Sequence, residues 1–318
     1  MFTNEEVIKR LKEDFVPFAG DTNVLQVGHG PLHDWFMSTI LPIHPGAEKG
    51  VTAQGFYVVG ADGTGYKFSM HARPAEKFME LLDQGMAAYK ASPPKPVEIP
   101  GQAMDNPALV APAGTLKVRT ISRVRPMPEG APDKNAGFGQ DHAWILPEDV
   151  AFLHSITEDS AVPDNLAYKL ARFHFVDNVR GEPDRWALEE VKYVALRVRP
   201  VKANQFEIYG KFSMETATSN KGYEGKFEAQ IAIDKKGNPI KFEGLADGMA
   251  WGDHRNTSGA PSGKFPVKIA FQNVDDEVSR AVPPQQSYFW YEYFRPTDPK
   301  IQEWPVDAPP RGWPRLKE

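Results

Sequence analysis

The chain has 318 residues, 41% of them hydrophobic and 25% charged, with a formal net charge of -5. That length and balance predict a globular protein of two domains with a full core, and the acidic balance argues against nucleic acid, whose phosphates need clustered Lys and Arg. The absence of cysteine excludes disulfides, thiol catalysis, iron–sulfur clusters and thiolate zinc sites.

The first helix begins near the N-terminus, where Thr3 and Glu6 form a capping box and Val7, Ile8, Leu11 and Phe15 share a face. The same segment lacks a basic stretch followed by an apolar run, so no signal peptide is expected in this chain. No stretch approaches the roughly 18 consecutive apolar residues of a membrane span. A short strand is expected over 23–28, a turn at Gly28–Asp34 and a helix over Trp35–Leu41.

Gly55–Val59 and Tyr66–Met70 read as two strands joined by a turn at Asp62-Gly63. Pro74 suits the start of the next helix, and Phe78, Leu81, Leu82, Met86 and Tyr89 form its apolar face. Residues 91–113 hold six prolines and predict a linker. Thr115–Val124 reads as a strand, Arg125–Gly139 as a loop, and Pro147–Thr157 and Pro163–Phe173 as two short helices.

From Val191 the apolar period becomes two. Val194, Leu196 and Val198 alternate with polar or small residues, as do Phe206, Ile208, Phe212 and Met214, then Phe227, Ala229, Ile231 and Ile233, then Phe265, Val267, Ile269 and Phe271. This pattern marks antiparallel strands with one solvated face, curled over a helix or closed into a barrel. The aromatic tail from Pro283 reads as an ordered strap. The expected class is α+β, with an α/β module over 1–91, a Pro-rich linker over 92–113, an antiparallel β-sheet or barrel domain with short helices over 114–295, and a Pro/aromatic tail over 296–318.

Gln54–Val59, the Ala61-Asp62-Gly63 turn and the helix from Pro74 to Lys90 resemble the C-terminal half of a thioredoxin-like domain. With Phe173–Pro183 and Trp251-Gly252-Asp253-His254, the chain resembles a group of uncharacterised bacterial proteins in which a cysteine-free thioredoxin-like fragment precedes a β-rich domain. That resemblance implies the fold of the first module and brings no activity with it. A thiol–disulfide role is excluded, because the Cys pair is missing.

Histidine is the strongest metal ligand this composition offers. His29 and His33 stand four apart with Asp34 beside them, and His44 and His71 are candidates to complete a site for Zn, Cu or Fe. The competing reading is a turn whose histidines bond locally. Asp141-His142 and Asp253-His254 are acid–imidazole pairs placed in Gly-rich loops beside Trp144 and Trp251, so His142, Trp251, Asp253 and His254 are candidates for a binding mouth. The charge run Asp177, Arg180, Glu182, Asp184 and Arg185 reads as a solvated salt-bridging loop. No nucleophile elbow, phosphate-binding loop, dinucleotide fingerprint or paired-histidine zinc motif occurs.

The sequence thus points to a ligand-binding protein with a histidine-containing pocket between its two halves, taking a small molecule or a transition metal. The alternatives are a non-catalytic interaction or scaffold protein and a metal- or His-assisted hydrolase.

Overall fold

A computed structural model describes residues 4–20, 25, 34–44, 54–70, 72, 74–95, 111–124, 138–181, 183–253, 257, 259–274, 276, 279–280, 282–285 and 290–299. The chain divides into two compact units, Met1–Gln102 with Trp304–Glu318, and Ala103–Glu303.

In the first unit, helix α1 (Glu5–Asp14) is capped by Asn4, whose Oδ1 accepts from the Val7 amide at 3.1 Å. The expected cap Thr3 lies outside the described residues. Asn at this position satisfies one orphan amide of the first turn, as a Thr cap would. A π-type turn over Phe36–Ile40 and a 3-10 turn over Leu41–Ile43 replace the single expected helix. The hairpin is as expected: β1 (Phe56–Val59) pairs antiparallel with β2 (Gly65–Ser69). Gly63, at φ 86°, supplies the left-handed residue of the turn, and the Asp62 carboxylate accepts from the Thr64 and Lys95 amides. Helix α2 (Ala75–Ala91) lays Phe78, Leu81 and Leu82 on a small core with Val7 and Val58. The hairpin is the whole of this sheet among the described residues, and a thioredoxin-like fold is not shown.

The second unit is built on one eight-stranded antiparallel sheet. In chain order its strands are β3 (Leu116–Val124), β4 (Gly139–Ile145), β5 (Ser160–Ala161), β6 (Val191–Lys202), β7 (Gln205–Glu215), β8 (Gly222–Ile233), β9 (Pro239–Trp251) and β10 (Phe265–Asn273). Their order across the sheet is β4-β3-β10-β9-β8-β7-β6-β5. The outer strands β4 and β5 are not paired to each other, so the sheet is open, and the barrel alternative is corrected.

The inner face carries Val118, Ile208, Phe212, Phe227, Phe242, Val267, Ile269 and Phe271. Against it lie α3 (Pro147–Val150), which continues as a 3-10 turn, and α4 (Asp164–Lys169), which continues as a π turn over Leu170–His174. Phe175 follows α4 and inserts among Phe212, Phe227 and Phe271, with ring centroids 4.5 to 6.1 Å away. Each such ring, fully buried, contributes roughly 1.5–3 kcal/mol.

The described parts of the strap are 283–285 and 290–299, and the second opens with a short helix α5 (Trp290–Phe294). Tyr293 is fully buried and packs edge-on to Trp144 and Phe173. Its hydroxyl meets His174 Nε2 and accepts from the Trp144 amide, both at 2.9 Å, so the strap caps an outward amide of edge strand β4. Glu292 is held by Arg172 at 2.6 Å and Arg185 at 2.8 Å.

Candidate functional site

A cleft of about 370 Å³ lies at the end of the sheet in the second unit, lined by Ser213, Glu215, Ser219, Glu224, Trp251, Gly263 and Lys264. It lies on the outer face. Ser213 and Glu215 end β7, Glu224 begins β8 directly opposite Ser213, and Trp251 ends β9 opposite Gly222. Directly opposed residues of an antiparallel pair point to the same side, so these side chains converge.

The local backbone explains the aromatic wall. A Cβ on Gly222 would stand 2.0 Å from the Trp251 ring, so only glycine lets the indole lie across β8. The indole Nε1 donates to the Ser219 carbonyl at 3.1 Å, and Ser219 itself adopts φ 54°, a left-handed conformation uncommon for a non-glycine residue. Lys264 places its ammonium 4.4 Å from the indole ring centroid and 2.6 Å from the Glu224 carboxylate. Among the described residues, neither the Ser213 hydroxyl nor the Glu215 carboxylate has a hydrogen-bonding or ionic partner. Ser213 is only 8% exposed.

Of the sequence candidates, Trp251 lies in this cleft. Asp253 does not serve it: its carboxylate accepts from Arg180 at 3.0 Å and from the Ala260 amide at 2.7 Å, which fixes the loop after β9. His254 lies outside the described residues. His142 is elsewhere. Its row across the sheet runs through Arg119 and Gln272, three strands over and several residues along from Trp251, a separation of roughly 30 Å at ordinary strand spacings. Asp141, His142 and Trp144 sit within strand β4 and not in a loop, a correction. Neighbours in a strand point to opposite faces, so Asp141 cannot orient His142. Asp141 is buried and accepts from the Gln285 amide at 2.7 Å; burial pushes its carboxyl up to about 7. Burial, aided by Arg119, holds His142 below its ordinary range, and its Nε2 has no partner among the described residues.

His29, His33 and His71 of the metal set lie outside the described residues. Asp34 is exposed, and its carbonyl accepts from Ser38; His44 is buried with its ring centroid 4.6 Å from that of Phe68. No group of three or more metal-ligating side chains gathers among the described residues.

The charge run is corrected as well. Asp177 and Arg180 are buried, and Arg180 binds Asp177, Asp253 and the Gly252 carbonyl. Arg180 is a structural clamp. A second buried polar group links Asp149 to Lys169, at 2.5 Å with both side chains inaccessible, and places Lys169 5.3 Å from the Tyr293 ring centroid. Lys, Tyr and His together suggest proton chemistry, but Lys169, Tyr293 and His174 are all shut from solvent at 1% exposure or less. Burial holds His174 down to about 3, so it is neutral.

The chain matches no protein-family model, no curated protein and no solved structure. The cleft has to be read from its own chemistry. Sequence reasoning found Trp251 there and missed Ser213, Glu215, Ser219, Glu224 and Lys264. Outward polar residues on alternating strands look like ordinary solvated surface until register sets them side by side.

Proposed function

We propose that this is a small-molecule-binding protein whose site is the cleft around Trp251. The observation that carries the reading is Ser213. The residue is only 8% exposed, and what it shows to the open cleft is a hydroxyl with no protein partner among the described residues, free to bond a ligand. An aromatic wall and two carboxylates converge on the same space, the composition of a site that orients a polar ligand. No described histidine lines it, so the pocket is not the histidine pocket expected from the sequence.

The first unit, with its hairpin and helix in the order of a cysteine-free thioredoxin-like fragment, is read as structural. Any transition-metal role is a separate proposal resting on the His29–His33 spacing, and elemental analysis of the purified protein and of the H29A/H33A variant tests it.

The test of the main reading is a thermal-shift screen against organic cations, polyols and small carboxylates, on the wild type and on Ser213→Val. At least one class should raise the wild-type midpoint and do so less in the variant. A panel that leaves the wild type unmoved overturns the reading.

A further inference from the structure

The cleft already holds one occupant of defined chemistry. Lys264 reaches over the Trp251 indole with its ammonium 4.4 Å from the ring centroid and bonds Glu224 at 2.6 Å. An aromatic face backed by a carboxylate is the arrangement that recognises ammonium groups. A second carboxylate, Glu215, lines the same cleft and makes no ion pair among the described residues. The Ser213 hydroxyl, on a residue only 8% exposed, faces the cleft as a free acceptor, which an N–H donor fits. The lining therefore carries two negative charges against one positive.

We infer that the cleft takes an organic ammonium ion, and that Lys264 is a tethered stand-in which an incoming ammonium displaces from the indole face. This rests on the binding role proposed for the cleft and names the ligand class. The geometry disfavours the alternatives. An anion would meet Glu215 and Glu224, with its one cationic partner in the cleft already paired to Glu224. A sugar ring stacks on a bare aromatic face, but one face of this indole carries the Lys264 ammonium and the ring is pressed against the Gly222 backbone. A neutral ring would exchange a cation–π contact for a weaker one.

Displacing a tethered competitor taxes the apparent affinity, because only the fraction of molecules with Lys264 withdrawn can bind. Removing the competitor therefore strengthens binding and leaves the rest of the site in place. The probes are n-butylammonium, which reproduces the lysine side chain, and tetramethylammonium, with sorbitol and citrate as the neutral and anionic comparisons. Each is titrated by calorimetry into the full-length wild type and into K264A, E215Q and W251L, with far-UV circular dichroism to show that each variant is folded.

The expected result is weak binding of both ammonium ions to the wild type, roughly fivefold to tenfold tighter binding to K264A, and severalfold weaker binding to E215Q. E215Q changes an unpartnered surface carboxylate, so it keeps the test valid if W251L does not fold. Ammonium binding that is equal in wild type, K264A and E215Q would mark general attraction to an acidic protein and overturn the inference. Trp251-dependent binding of sorbitol or citrate without ammonium binding would also overturn it, while the binding role of the cleft stands. No binding of any probe would sink both.

Discussion

Trp251 and Gly222 face each other across β9 and β8, and the indole occupies the space a Gly222 side chain would need, with 2.0 Å between a Cβ and the ring. Gly222→Ala should therefore expel the indole and cost about 1–3 kcal/mol, as overpacking does. Chemical denaturation measures the loss, and a redshift of tryptophan emission reports the displaced ring. An unchanged midpoint and spectrum would mean that the indole does not lie on β8.

The Asp149–Lys169 pair is wholly buried, and Asp149 also caps the Leu146 amide and accepts from Asn165. Lys169→Met leaves a carboxylate stranded in the core, for which a loss of about 3–5 kcal/mol is expected. Combining it with Asp149→Asn should recover part of that loss, because Asn can still accept from Leu146 and carries no charge. Urea titrations of the single and double variants check this; a double variant weaker than the single would contradict it.

Asp141 gives a pH dependence with a definite sign. Its carboxyl is raised from 3.8 to about 7 by burial. Between those values the folded chain holds a proton that the unfolded chain has released. The contribution of this group to stability is full below pH 4 and is lost as pH rises through 7. Asp141→Asn can still accept from the Gln285 amide and does not titrate. The variant and wild type should thus be equally stable at about pH 3, with the variant ahead by at most about 4 kcal/mol above pH 7. Comparing the two proteins cancels every other titrating group, including neutral His174, whose own contribution is present above 6.5 and fades as pH falls toward 3. Parallel stability curves for the two would refute the assignment.

Tyr293 ties the strap to the sheet edge through His174 and the Trp144 amide. Tyr293→Phe keeps the ring packing and leaves those two buried groups with a partner removed, so a loss of about 1–3 kcal/mol is expected. Hydrogen exchange should show the Trp144 amide losing protection ahead of the central strands. Unaltered protection there would show that the hydroxyl is dispensable.

Much of the larger unit was legible because large apolar residues alternate on β6, β7, β8 and β10. Strand β9 was harder to see. Its inward positions are Phe242, Gly244, Ala246, Gly248 and Ala250, small residues that hide the period, and a Cβ on Gly248 would come within 2.1 Å of the Glu224 carbonyl. Strand β4 was read partly as loop because Gly139, Gln140, Asp141 and His142 are poor strand formers; its partner β3 holds it in place through seven registered pairs. The open edge was not legible, since alternation fixes which face is buried and says nothing about closure. The cleft was half visible. A tryptophan beside glycine drew notice, while its polar partners come from strands that only register brings together.

The most direct measurement is the Trp251 indole N–H resonance in an amide-correlation spectrum, assigned by its disappearance in Trp251→Phe. Titration with n-butylammonium should move this signal saturably, and E215Q should need severalfold more ligand for the same shift. A resonance that stays in place through saturating concentrations of ammonium, polyol and carboxylate probes alike would contradict a binding site at Trp251.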